Sequence, residues 1–299
     1  QGHLTEIWRN SGRIVQACAH LRDTGEFVAP TKLDLPRGEN LLHVEARSSG
    51  QQLAMLDRLY DRIGAGKQFD PIWHFQVLCA VHGKSPVSRK VLNARLQDRL
   101  NPKTPNNHAL GNPFRIKDKV INLKNSWIEC EEDCPEMNDE GKVFVANGEI
   151  GEVAQVEKNV TIIELQGPYR LVRVPRGSQP KKEDKQDDDD DAEDEKTDTG
   201  CNWDLAYAIS CHKSQGGEWP IVAIIVDDSP GAARVCSREW VFTGISRAKD
   251  ICVTLGKATT LQGFCKRSQI HERRTFLPQQ IIGHRKMLVG SYSASGKMP

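Results

Sequence analysis

The chain has 299 residues, 38% of them hydrophobic and 27% charged, a balance that fits a globular fold rather than a disordered or membrane-embedded one. Its longest purely aliphatic run, Ile221 to Val226, is far too short to span a bilayer. The formal net charge of +1 conceals an asymmetry: eleven acidic and four basic side chains fall between Lys181 and Asp198, leaving the remainder at +8, an excess of cations that suits a polyanionic partner.

Residues 4 to 22 place Leu4, Ile7, Trp8, Ile14, Val15, Cys18 and Leu21 at helical period, and Gly25 ends that pattern. After a proline-bearing loop, Asn40 to Ala46 reads as a strand and Leu53 to Ile63 as a helix ending at Gly64. His74 to Val81 has the continuous apolar character of a strand covered on both faces, followed by a helix over Val87 to Leu100. This alternation argues for an α/β fold with a parallel sheet. From about Arg115 to Pro175 the pattern changes to short Val- and Ile-rich segments divided by Gly and Asn, which predicts a small antiparallel barrel inserted into the α/β domain. The acidic run has too little apolar surface to order itself. Beyond it, strands are expected at Leu205 to Cys211, Ile221 to Val226 and Ile251 to Leu255, with helices at Arg238 to Lys249 and Thr260 to Arg267. The tail past Ser268 is basic and weakly patterned. The expected organisation is therefore 1–114 and 201–267 as two parts of one α/β lobe, 115–180 as the barrel, 181–200 as an acidic loop and 268–299 as a tail.

Nine cysteines, several inside apolar runs, read as reduced core thiols and point to the cytoplasm. Cys130 and Cys134 form a C-x3-C pair with no further ligands at metal spacing, so no metal site is expected. The first residue is Gln, and the chain reads as a fragment of a longer protein.

Two segments carry chemistry. In Tyr207 to Trp219 an apolar strand delivers His212, Lys213, Ser214 and Gln215 onto a Gly-Gly turn, at the carboxyl end where open α/β sheets place ligands. In Arg238 to Lys249, Trp240, Val241, Ile245 and Ala248 share one helical face and Arg247 lies beside it. An arginine held there is what phosphoryl transfer uses as charge builds on a γ-phosphate.

In this order the two segments resemble motifs V and VI of RecD-like helicases, in the 5′-to-3′ branch of superfamily 1, which includes proteins similar to the exodeoxyribonuclease V alpha subunit. His212, Lys213, Ser214, Gln215, Gly216 and Glu218 match the first motif, and Phe242, Thr243, Ile245, Ser246, Arg247 and Ala248 match the second. Val91 to Pro102, Lys117 to Asn125 and Ala146 to Val153 resemble further family segments, the last leading into an SH3-like barrel, and Trp8 to Ile14 resembles motif IV. Asn10 and Ala146 depart from the family pattern, which has Gln and Phe there.

The resemblance implies a second RecA-like lobe with an inserted SH3-like barrel, working with ATP and Mg bound mainly by a first RecA-like lobe upstream on the same polypeptide. It casts Arg9 and Arg247 as arginine fingers, with Gln215, Gly216 and Glu218 on the nucleotide side of motif V. It assigns His212, Lys213 and Ser214, and less directly Lys124, Asn125 and Asn147, to single-stranded DNA or a DNA junction. No phosphate-binding G-x-x-x-x-G-K-[ST] loop is present, since Gly64-Ala65-Gly66-Lys67 follows a helix and lacks the Ser or Thr. The chain alone is thus not expected to hydrolyse ATP. The alternative reading is a non-catalytic nucleic-acid-binding remnant of such a motor.

Overall fold

The computed structural model describes residues 12–30, 32–177 and 199–269. Arg9, the acidic run 181–198 and the tail beyond residue 269 lie outside the described residues.

Five apolar segments align as a parallel sheet: β1 (Leu41–Glu45), β2 (Phe75–Cys79), β10 (Ala208–Ser210), β11 (Trp219–Val226) and β12 (Ala248–Gly256), in the order β1-β12-β11-β2-β10. All of β2 and nearly all of β11 are buried, which explains why they read as unbroken apolar runs. One face is covered by α1 (Gly12–Thr24), α4 (Pro230–Val235), α5 (Arg238–Ile245) and α6 (Ala258–Lys266). The other is covered by α2 (Ser49–Gly66) and α3 (Arg89–Leu100). Among the described residues no helix is long and apolar enough to cross a membrane.

A second, antiparallel sheet has its own core. It comprises β3 (Lys119–Asn122), β4 (Ser126–Cys130), β5 (Lys142–Val145), β6 (Ile150–Val156), β7 (Val160–Leu165), β8 (Arg170–Pro175) and β9 (Trp203–Leu205), in the order β5-β4-β8-β7-β6-β3-β9. Phe114, Val143, Ile163, Val172 and Trp203 fill its interior. The α/β class with a parallel sheet is as expected, and the antiparallel unit is compatible with a small inserted barrel.

Three of the boundaries that differ from expectation have a visible cause. The stretch from Leu205 to Cys211 is not one strand: β9 pairs antiparallel with β3, and two residues later β10 pairs parallel with β2. The changeover at Ala206 and Tyr207 is fixed by buried Gln76, whose amide donates to both carbonyls at 3.1 Å, and by Ala206 N–H donating to Lys119 O at 2.8 Å. Second, α5 stops at Ile245 rather than running to Lys249. Ser246 closes it by donating its N–H to Phe242 O and its hydroxyl to Thr243 O, and β12 begins at Ala248. Arg247 therefore sits between a helix and a strand, not on a helix. Third, α2 runs past Gly64 to Gly66 and ends where Lys67 turns left-handed, at φ 51°.

Polar side chains join the two sheets. Asn93 of α3 accepts from Ala208 N–H at 2.7 Å and donates to Leu205 O at 2.8 Å, clamping both ends of the strand changeover. Asp118, fully buried just before β3, accepts from Gln97, Asn101, Tyr207 and the Arg115 N–H. Burial is the largest influence on its carboxyl and pushes it above the usual carboxylate range, against the pull of those donors. Buried Arg89 reaches across from α3 to Asp204 of β9 as a 3.1 Å ion pair.

Candidate functional site

Strand β10 ends at Ser210, and residues 211 to 217 form the turn that returns the chain to β11. Ser214 is fully buried in it: its hydroxyl donates to Cys211 O at 2.7 Å and its N–H to Ser210 O at 3.2 Å. Ser214 was expected to face DNA; here its side chain has no exposure and its hydroxyl is committed within the turn that it shapes. His212, Gln215 and Gly216 are exposed around it. Gly216 has φ +89°, a left-handed conformation that glycine adopts without steric penalty. Gly217 is glycine for another reason, since a Cβ there would collide with the Trp219 ring.

Arg247 packs against this turn. Its guanidinium donates to Gly217 O at 3.3 Å, Thr243 O at 3.2 Å and Ser246 Oγ at 3.2 Å, while its own carbonyl accepts from Trp219 N–H at 3.0 Å. Its charge also reaches the thiols of Cys211 and of Cys18 on α1. Burial drives these up to about 12 and about 11, and Arg247 pulls both back down. The side chain is half-buried, and its backbone is held between α5 and β12. Beside it, Glu218 pairs with Lys249 at 3.7 Å.

The other flank of the turn meets the antiparallel sheet. Lys213 Nζ donates to Asn147 Oδ1 at 2.8 Å and to Leu123 O at 3.4 Å. Asn147 N–H in turn donates to Asn125 Oδ1 at 2.7 Å, and Lys124 is exposed alongside. The structure thus brings Lys213, Lys124, Asn125 and Asn147 together, with His212 on the same turn. Arg247 meets the turn at Gly217, with Glu218 next along the chain, and Gln215 and Gly216 are exposed in the turn between them and Lys213. Arg9 lies outside the described residues.

Two buried residues hold this arrangement without having been singled out in the sequence. Asn122 donates to Lys124 O at 2.7 Å, Ala146 O at 3.0 Å and Val145 O at 3.1 Å, so one amide fixes both loops that carry Lys124 and Asn147. Lys119 is fully buried, donating to Ile72 O and Gln76 Oε1, both at 2.9 Å. Its ammonium lies 5.5 Å from the Trp73 ring and 5.8 Å from that of Trp219, a cation between two π faces. Desolvation lowers its pKa to about 7, and the Asp70 carboxylate works in the opposite sense. The usable signal was a polar residue at an inward position of a strand otherwise reading Val-Ile. Among the described residues, no cluster of three or more His, Cys, Asp or Glu could hold a metal ion. The nine thiols are free, with the sulfurs of Cys130 and Cys134 3.8 Å apart.

Residues 205–253 match the UvrD-like helicase C-terminal domain. The span runs from the last residue of β9 through most of β12 and so includes both the turn and Arg247. The chain is also 25% identical, over 286 residues, to the ATP-dependent RecD2 DNA helicase of Deinococcus radiodurans, a match covering 94% of this chain and 32% of that protein. It therefore spans about a third of the length of that curated relative. Among solved structures, the Pif1 helicase from Candida albicans aligns with 92% of the chain and 57% of its own at 14% identity and a TM-score of 0.43. A Bacteroides Pif1 bound to single-stranded DNA aligns with 83% of the chain and 50% of its own at 15% identity and a TM-score of 0.41. The chain is thus similar to helicases, over 205–253 to a UvrD-like helicase C-terminal domain and over most of its length to part of a RecD2 helicase.

Proposed function

We propose that this chain is the C-terminal motor lobe of an ATP-dependent DNA helicase or translocase, and that it grips single-stranded DNA and supplies an arginine to ATP hydrolysis. The carrying observation is the turn at 211–217, which touches Arg247 on one flank and, through Lys213, the Asn147 loop on the other. One short segment thereby connects the residue suited to a γ-phosphate with the residues suited to a phosphodiester backbone. ATP and Mg belong mainly to a preceding lobe. Here Arg247, Gln215 and Glu218 would face the nucleotide, and no described residues form a cage for the metal. The nucleotide supplies the phosphoryl group; Arg247 supplies fixed positive charge, pre-oriented by three acceptors. Such groups contribute on the order of 10³-fold or more in rate. Lys213, Lys124 and His212 supply cations and donors for the sugar–phosphate backbone, which makes binding salt-dependent and largely indifferent to sequence.

The test joins this chain to a P-loop lobe on one polypeptide. Arg247→Ala is expected to reduce DNA-stimulated ATP hydrolysis by about 10³-fold while nucleotide binding persists. Unchanged turnover would overturn the role of Arg247.

A further inference from the structure

The antiparallel sheet carries an exposed aromatic pair that the proposed function does not use. Trp127 of β4 and Phe144 of β5 are cross-strand partners, their ring centroids 5.6 Å apart and their planes at 63°. They are 55% and 45% exposed, whereas Val143 and Val145, on either side of Phe144, point inward and are fully buried. A single exposed aromatic is ordinary; two held edge-to-face on the outer side of a strand pair make an ordered apolar platform with nothing above it among the described residues.

The surroundings decide what this platform fits. Trp127 lies three residues after Lys124 and Phe144 three residues before Asn147, so at ~3.3 Å per residue the rings stand about 10 Å from the turn that Lys213 touches. On the same outer face, two residues further from that turn, Glu129 stands opposite Lys142, whose ammonium pairs with Glu140 at 2.8 Å. Beyond the rings Lys142 is already paired with Glu140 and Arg173 with Glu131, and Glu129 leaves a net negative charge there, whereas Lys124 on the other side is exposed. A polyanion's backbone is attracted on the Lys124 side and meets a small net negative charge beyond the rings. A flat, uncharged group attached to that backbone is not repelled, and an indole face is what it stacks on.

Resting on the DNA-gripping reading above, we propose that Trp127 and Phe144 form a stacking platform for one unpaired nucleobase of a strand whose phosphates cross the Lys124–Asn147–Lys213 turn. The platform reads a π face and no base edge, so it is indifferent to sequence and selective for unstacked bases.

The experiment measures binding of the 299-residue chain to labelled oligo-dT and to an abasic oligomer of the same length, by fluorescence anisotropy. Trp127→Leu keeps an apolar side chain but removes the ring. It is expected to weaken oligo-dT binding roughly 5- to 100-fold and to leave abasic binding unchanged. Phe144→Leu follows with a smaller loss, and Trp127→Phe recovers part of it. Lys213→Ala should weaken binding to both oligomers equally, since both carry the same phosphates. Oligo-dT affinity untouched by Trp127→Leu and Phe144→Leu, with Lys213→Ala still impairing both probes, would overturn the platform, leave the grip intact and assign the face to a protein partner. Absence of salt-dependent binding to either probe in the unsubstituted chain would instead overturn the grip itself and the platform with it.

Discussion

The two sheets exclude water in different ways, and the seam between them follows neither. The parallel sheet buries β2 and β11 on both faces with aliphatic side chains, while the antiparallel sheet alternates, one side chain inward and the next outward. Where they meet, at β3, the chain buries consecutive charged residues, Asp118 and Lys119. Asp118 collects donors from α3 and Tyr207, and Lys119 collects two oxygens and two indole rings. The lesson is that each sheet is held by area and can tolerate approximate packing, whereas the seam is held by directional bonds. A buried polar group is stabilising only while its partners stay in place.

That contrast can be broken at the seam. Asp118→Leu would take the shared acceptor from four buried or part-buried donors and is expected to lower stability by about 3–5 kcal/mol, read as a shift in the denaturation midpoint. A loss under 1 kcal/mol would mean that area, not bonding, holds the seam. Asn93→Ala removes the acceptor of Ala208 N–H at the strand changeover, and about 1–3 kcal/mol is expected from the same measurement.

Lys119 offers a sharper test through pH. Its folded pKa of about 7 lies below the unfolded value near 10.4. Between those values the unfolded chain holds a proton that the folded chain has released. This residue's contribution to stability therefore rises as pH increases from about 7 toward 10, and is flat below. Buried thiols such as Cys252, whose pKa is raised by burial, act in the opposite sense at alkaline pH. The informative quantity is thus the difference between the parent chain and Lys119→Met. That difference should shift in favour of the parent as pH rises through this window, and a pH-independent difference would contradict the assignment. At the far end of the scale, Trp127→Leu on the outer face should change stability by no more than about 0.5 kcal/mol, whatever it does to DNA binding.

Much of the parallel sheet was legible because its signal is local. A strand covered on both faces must be apolar throughout, and β2, β11 and the core of β12 announce themselves in that way. The polar turn at 212–216 and Arg247 were equally visible, since few turns place His, Lys and Gln directly after a buried strand. What stayed hidden depends on distant partners. The division of 203–210 between two sheets is decided by Gln76 and Asn93, more than a hundred residues earlier, and no local pattern carries it. Ser214 read as a ligand-facing hydroxyl because sequence gives its chemistry and not its direction. Arg247 read as helical because Ala248 continues the apolar period of α5, although that residue already belongs to β12. Within the Arg115–Pro175 region, strand β4 is hard to read locally because its alternation, Trp127 outward and Ile128 half-covered, places the larger apolar group on the solvent side.

The changeover at Ala206 and Tyr207 has a mechanical meaning. Only those two residues separate a strand stitched into one sheet from a strand stitched into the other, and both of their carbonyls are pinned by Gln76. Such a joint has little slack. The 211–217 turn follows β10 directly and Gly217 O accepts from Arg247, so two short strands and one pinned joint are all that lie along the chain between the antiparallel sheet and that guanidinium.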